Sequence, residues 1–318
     1  MRNTDNRLVS VLGAGVAGLC TATALADRGI AAELIAPAEA PQPASHFAGG
    51  MLAPFCEGEA APDEVVTAGQ KSVDWWAAHV PVARRGTLVV APPRDAAELG
   101  RFARATRGHV PADPGALEPD LEGRFARGLF YETEAHLDPR EALAQLRAGL
   151  AARGVPIHDG PPSGRIIDCR GLGADLSGLR AVRGEMLIVE APDVALSRPV
   201  RLLHPRFPCY IVPRAGQRFM IGATMVERDD AGPVTARAAM ELLSAAYALH
   251  PGFAEARILE LGAGRRPAFP DNLPRLVRQG DRLHVNGMYR HGFLMAPVLA
   301  EAAADQIAHD LQEDIHAH

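Results

Sequence analysis

The stretch from Leu8 to Ala36 constrains this chain most. Leu8-Val9-Ser10-Val11-Leu12 is a short apolar run of β character that stops at Gly13-Ala14-Gly15-Val16-Ala17-Gly18. A small-residue helical stretch follows from Leu19 to Arg28, with Ala22, Ala24 and Ala26, and Gly29 stands where a helix would stop. Ala31 to Ala36 then completes a strand, turn, helix and strand. In that setting the Gly-x-Gly-x-x-Gly spacing is a dinucleotide fingerprint. Gly13 permits the tight turn, Gly15 lets the backbone approach a pyrophosphate, and Gly18 lets helix and strand pack closely. The helix N-terminus offers free N–H groups and a positive dipole end to the phosphates. One expected residue is missing. An acid for the adenosine ribose should end the second strand, but Ala36-Pro37 stands there. Glu33 lies inside the strand, and Glu39, just beyond it, is the candidate.

At 318 residues the chain is long enough for one large or two interlocked domains, burying roughly 75% of its unfolded surface. A net charge of −5 provides no broad basic face, which argues against a nucleic-acid partner. Lys71 is the only lysine, so Schiff-base and pyridoxal chemistry are disfavoured. Cys20, Cys56, Cys169 and Cys209 are scattered, without a Cys-x-x-Cys pair, and read as reduced thiols. The 12 histidines show no His-x-x-x-His spacing, and no catalytic metal is expected. Met1 to Arg7 lead straight into the first strand, with no signal peptide expected. No run approaches the ~20 apolar residues that span a bilayer. The expectation is a soluble, cytoplasmic protein with no membrane partner.

Further along, Ala44 to Pro54 is rich in small residues, with Gly49-Gly50 suggesting backbone packed against something flat. Helices are predicted over Glu64–His79, Asp95–Thr106, Arg140–Arg153 and Val234–His250. Trp75 and Trp76 read as core or domain-contact residues. Thr87–Val90 and Gly128–Tyr131 read as strands. Gly154–His158 and Arg165–Asp168 read as parallel strands returning to the nucleotide-binding sheet. Glu185–Glu190, Tyr210–Pro213 and Phe219–Gly222 are spaced closely enough for an antiparallel sheet. Leu283–Gly287 is a final strand. A closing helix runs to about Leu311, with Pro297 in its first turn.

Taken together, these pieces resemble the D-amino-acid oxidase family of FAD enzymes, most closely the glycine oxidases of thiamine biosynthesis. The resemblance is carried by the fingerprint, Ser45–Ala53, Arg183-Gly184-Glu185, Cys209–Arg214, Ile221–Met225, Gly264–Pro267 and Met288–Pro297. It implies an α/β architecture: a Rossmann-like FAD-binding domain with an inserted α+β substrate domain on a mainly antiparallel sheet. Residues 1–85, 140–182 and 262–318 would form the first domain, and 86–139 and 183–261 the second. The family's chemistry moves hydride from the substrate Cα to the flavin, turning an amine into an imine. Oxygen is the expected acceptor, giving peroxide, and in glycine oxidases the imine feeds thiazole formation.

An amino-acid carboxylate calls for a planar two-pronged donor, which Arg provides and Lys does not. The resemblance assigns Arg266 to the carboxylate, Tyr210 to the hydroxyl beside it and Arg290 to a second pocket arginine. It assigns FAD to Gly13, Ala14, Gly15, Val16, Ala17, Gly18, Ser45, Gly49, Gly50, Met51, His291, Gly292, Phe293 and Leu294. N–H groups near Leu294 to Ala296, freed by Pro297, would stabilise negative charge on the flavin ring. Met51, His46, Met288 and His291 are candidate pocket walls. The chain departs from the family in the short connection Asp159–Gly164 and in the missing ribose acid. It also has no lysine near the later motifs. A small amino acid is the implied substrate, and a homo-oligomer is among the implied assemblies. Three rivals stay open: a D-amino-acid dehydrogenase with a non-oxygen acceptor, a nicotinamide-dependent dehydrogenase and a non-catalytic flavin-binding protein.

Overall fold

The computed structural model describes residues 7–37, 39, 41–206 and 208–316. Residues 1–6, where no signal peptide is expected, therefore lie outside the described residues. Two main sheets organise the chain. The first has the order β15-β16-β9-β1-β2-β8. It is built from β1 (Val9–Leu12), β2 (Ala32–Ile35), β8 (Ile157–His158), β9 (Arg165–Asp168), β15 (Arg275–Gln279) and β16 (Arg282–Asn286). All pairs are parallel except β15 with β16. Both strands expected to return to this sheet do so, β8 beside β2 and β9 beside β1.

The second sheet has the order β14-β10-β13-β12-β11-β4-β6-β5. Its strands are β4 (Thr87–Val90), β5 (Val110–Ala112), β6 (Gly128–Tyr131), β10 (Arg180–Glu190), β11 (Val200–Leu202), β12 (Cys209–Arg214), β13 (Arg218–Gly222) and β14 (Arg257–Ala268). Only β11 and β4 pair in parallel, so the sheet is mainly antiparallel. A small ribbon, β3 (Met51–Leu52) with β7 (Ala135–His136), completes the strands. The helices are α1 (Val16–Asp27), α2 (Pro54–Glu57), α3 (Asp63–Gly69), α4 (Ser72–His79), α5 (Ala96–Ala105), α6 (Pro114–Leu117), α7 (Pro139–Ala152), α8 (Ala236–Leu249) and α9 (Gly292–His316).

The first core depends on small residues. Val16 through Leu25 of α1 are buried on every side. Ala22 and Ala24 share a cluster with Ala296, Ala300, Ala303 and Ala304 of α9, all fully buried. Methyl-sized side chains let the two helices approach closely over the sheet. The short connection 159–164 is bolted down. The Ser163 N–H reaches Ser10 Oγ at 3.1 Å and Glu33 Oε1 at 3.0 Å, and the Gly164 N–H donates to Ser10 Oγ at 2.9 Å.

Several expectations need correcting. The predicted helix 64–79 is two helices, α3 ending at Gly69 and α4 starting at Ser72, and Gly69 packs on Leu294, where a Cβ would lie 2.7 Å from Leu294 Cγ. β14 lacks the alternation of a half-buried strand, since it is an edge with Ile258, Leu259 and Leu261 about half exposed. The sequence revealed only its Gly264–Pro267 motif. α9 begins at Gly292, so Pro297 sits in its second turn. The Met295 N–H is already bonded to the His291 carbonyl at 2.7 Å. The free first-turn N–H groups are therefore those of Gly292 to Leu294, not Leu294 to Ala296. Pro297 also leaves the Phe293 carbonyl without its helical donor. The Trp76 indole N–H fills that place at 2.8 Å, and the Ser72 hydroxyl donates to the Leu294 carbonyl.

Candidate active site

Each fingerprint glycine has a separate physical reason. Gly13 has φ +98°, a left-handed conformation suited to glycine. At Gly18 a Cβ would sit 1.8 Å from the Gly13 carbonyl oxygen, so helix and turn touch backbone to backbone. Gly15 differs, because a Cβ there would meet nothing closer than 3.5 Å, at Pro43 and Ser45 Oγ. The protein does not itself fill this position, and the open cradle fits a pyrophosphate. Ser45 Oγ accepts the Val16 N–H at 3.2 Å, while Ala14, Ala17 and Gly18 complete the turn. Gly292 at the start of α9 faces Val16, with a built Cβ 3.5 Å from Val16 Cγ1. Two helix N-termini thus converge, and neither carries an acid in its first turn. Both positive ends remain available to an anion.

Gly49 and Gly50 follow Ser45 by four and five residues along the chain. Gly50 has φ +70°, and a Cβ on it would run into the Leu137 carbonyl oxygen at 2.2 Å. The Gly49 carbonyl accepts from Arg214 Nη2 at 2.8 Å, and a Cβ on Gly49 would meet the Tyr210 ring at 2.7 Å. The loop is therefore a glycine platform laid over Tyr210. Met51 follows in β3, opposite His136. Of the other proposed pocket walls, Met288 is buried in the first core, and His46 stands edge-on to Phe47 with ring centroids 5.0 Å apart.

Arg266 reaches the site from the edge strand. On β14 it is opposite Val182 of β10, with Gly264 opposite Gly184. Its guanidinium occupies the space a side chain at Gly184 would need, and a Cβ there would lie 2.2 Å from Nη2. Nη1 donates to the Thr224 carbonyl at 3.1 Å. Burial lowers its pKa, with Tyr210 opposing and Arg290 adding to the shift, and no carboxylate contributes. Arg265 points to the other face, where it pairs with Asp229 at 2.7 Å.

Tyr210 on β12 stands under Gly49 and against Gly222. Burial raises its pKa, and Arg266 and Arg290 oppose that rise. Arg290 is already engaged: Nε lies 2.9 Å from Glu57 Oε2, and Nη2 donates to Oε1 at 3.1 Å. His291 Nδ1 lies 3.1 Å from the same Oε2. Burial alone would raise the Glu57 carboxyl, but Arg290 and His291 hold it well below the usual range. The two arginines are thus unlike. One is neutralised by a glutamate, and the other is a partly buried cation with no carboxylate beside it.

The sequence reading missed Glu57, Thr224 and Arg214 as site residues. Arg214 and Thr224 lay inside stretches already singled out, and chemistry would have nominated a guanidinium and a hydroxyl there. Glu57 gave no signal, because it closes the four-residue helix α2 and its partner is 233 positions away. Glu33 lies in the first sheet with its carboxylate bound by Ser10, Ser163 and His158, and Glu39 sits in an exposed turn.

Comparison with known proteins agrees with this geometry. The putative thiamine biosynthesis oxidoreductase ThiO of Rhizobium etli is 56% identical over 313 residues, 94% of this chain and 96% of that one. The glycine oxidase of Geobacillus kaustophilus is 30% identical over 237 residues, 70% of this chain and 60% of its own length. The crystal structure of glycine oxidase from the same organism superposes with a TM-score of 0.80 at 22% identity, covering 95% and 94% of the two chains, and so shares the fold. Residues 9–306 match the pattern of the FAD dependent oxidoreductase family, DAO. A Rossmann-like sheet with an open glycine cradle, joined to a mainly antiparallel sheet, is the form expected of that group, and this chain belongs to the FAD-dependent oxidoreductase family, with FAD as its cofactor.

Proposed function

We propose that this chain oxidises the amine of glycine, or of another small amino acid, with oxygen as acceptor, as a step of thiamine (thiazole) biosynthesis. The observation that carries the reading is Arg266, a partly buried guanidinium near Tyr210 whose one hydrogen bond among the described residues goes to a backbone carbonyl. A cation partly withdrawn from water without an anion is costly, and a substrate carboxylate would relieve that cost. The name of the G. kaustophilus relative, glycine oxidase, supports the substrate class, and that of the R. etli relative supports the pathway.

When bound, FAD supplies the two-electron acceptor for the hydride leaving the substrate Cα. The remaining tasks fall to this chain. The Arg266 fork takes the carboxylate and fixes the substrate's orientation. The Tyr210 hydroxyl donates to the same carboxylate. Arg290, with both prongs on Glu57, contributes charge and shape rather than a second fork. The positive end of α9, at Gly292 to Leu294, favours negative charge on the flavin ring. Gly13 to Gly18, Ser45, Gly49, Gly50, Met51 and His291 hold the cofactor. The imine takes up water to give glyoxylate and ammonia unless a downstream step captures it.

The division into residues 1–85, 140–182 and 262–318 against 86–139 and 183–261 belongs to this reading, with the β10–β14 pair running across the junction. A cytoplasmic location is also part of it. Among the described residues no helix is long and apolar enough to cross a membrane. The test is anaerobic bleaching of the flavin with glycine, sarcosine and D-alanine, followed by air. Bleaching by glycine, with peroxide equal to the oxo acid formed, is expected. No bleaching by any of the three would remove the amine-oxidase reading. Bleaching that air does not reverse would favour the dehydrogenase.

A further inference from the structure

The charge pair Arg183–Glu185 lies on β10, on the opposite face of the strand from Gly184 and Arg266, and touches neither cradle nor clamp. The two residues are 2% and 0% exposed, with Arg183 Nη2 donating to Glu185 Oε1 at 3.0 Å. No catalytic task explains so buried a pair. Its remaining bonds all go to one segment, residues 224–235. Arg183 Nη1 donates to the carbonyls of Asp230 at 2.9 Å and Gly232 at 2.8 Å, and Nη2 to that of Pro233 at 2.6 Å. Glu185 Oε1 accepts the Thr235 N–H at 2.9 Å, and Oε2 the Thr224 hydroxyl at 3.0 Å. Thr224 Oγ1 in turn accepts the Glu185 N–H at 2.9 Å. The Thr224 carbonyl is the hydrogen-bond acceptor that holds Arg266 Nη1.

We infer that Arg183 and Glu185 are positioning residues for the carboxylate clamp, acting through Thr224. The inference rests on the reading that Arg266 binds the substrate carboxylate. A guanidinium on a flexible stem has many orientations, and a fixed carbonyl at Nη1 leaves the other donors aimed at one place. The Arg183 fork spans three carbonyls that an ammonium could not reach together. Glu185 holds the two ends of the segment, at Thr224 and at the cap of α8. Each removed contact should therefore loosen the aim of Arg266 without touching the flavin.

The experiment uses the flavin-loaded enzyme, titrated with acetate while the flavin absorbance is followed, together with KM and kcat for glycine. Thr224→Val and Arg183→Lys should each weaken acetate binding and raise KM by about three- to tenfold, the scale of one hydrogen bond. In both, kcat and flavin content should hold, and Thr224→Ser should restore wild-type values. Melting temperature and flavin content are measured on every variant, so that misfolding is recognised. If Arg266→Lys weakens acetate binding and the Thr224→Val and Arg183→Lys variants do not, the positioning inference falls and the clamp stands. If Arg266→Lys leaves acetate binding unchanged, the clamp reading itself fails. A loss in Thr224→Val that merely tracks lost flavin would likewise overturn the inference.

Discussion

Glu33, in the six-stranded sheet, is surrounded by donors: the Ser10 hydroxyl at 2.6 Å, both the N–H and hydroxyl of Ser163, and His158 at 3.0 Å. Glu134, beside the eight-stranded sheet, receives the Cys56 N–H at 2.8 Å on one oxygen, and its other oxygen accepts no hydrogen bond. Burial opposes ionisation in both. The donors around Glu33 override it and hold the pKa at about 2, whereas burial wins at Glu134 and pushes it to about 7. One arginine from each region shows the same contrast. Arg170 in the first region is matched by Asp168, while Arg266 in the second has no acid. Around Glu33 the donors of β1, β8 and the 159–164 connection close on the carboxylate and hold it as a fixed structural charge. In the eight-stranded sheet Arg183 is matched by Glu185 and Arg201 by Glu59, and Arg266 stands apart from them as a charge that a ligand can use.

The sharpest way to break this comparison is to make the same substitution at two glycines. Gly18→Ala puts a methyl into the Gly13 carbonyl and should cost at least about 3 kcal/mol, visible in urea unfolding. Gly15→Ala has ordinary clearance and should change stability by less than about 0.5 kcal/mol while purifying with little flavin. Normal flavin content in Gly15→Ala would show that the cradle is not the phosphate site.

The two glutamates make the next test. Glu33 has a folded pKa below its unfolded value of 4.5, so its contribution is present above 4.5 and is lost as pH falls toward 2. Glu134 has a folded pKa above 4.5, so its contribution is complete below 4.5 and is lost as pH rises through about 7. Each is worth about 3 kcal/mol at most. Urea unfolding against pH should therefore show Glu33→Gln flattening the acid limb and Glu134→Gln flattening the fall between pH 5 and 8. Identical profiles for the two variants would erase the contrast.

A smaller effect is expected at the clamp. Arg266→Lys keeps the charge and loses the fork, and kcat/KM for glycine should fall about ten- to a hundredfold with flavin retained. Arg265→Lys, on the other face and paired with Asp229, should stay within about twofold. Equal losses would remove Arg266 from the site. Smallest of all is Ser45→Ala, which takes away the acceptor of the Val16 N–H and should cost about 1 kcal/mol. A larger loss of flavin than of stability there would place Ser45 on the cofactor.

Local chemistry was written plainly in the chain. The turn at Gly13 to Gly18, the helix after it and the parallel returns at 157–158 and 165–168 depend on steric rules and short-range periodicity, which sequence carries directly. So does the demand for arginine at a carboxylate. The tertiary structure decided what required distant strands to meet. It separated Arg266 from Arg265 by the alternation of an edge strand that lacks clear periodicity, and it gave Arg290 a partner in Glu57. It also moved the start of α9 forward to Gly292, because Trp76 and Ser72 take up the carbonyls of Phe293 and Leu294. Whether a buried charge is paired or free depends on what lies within about 4 Å in space, and residues tens to hundreds of positions apart determine that.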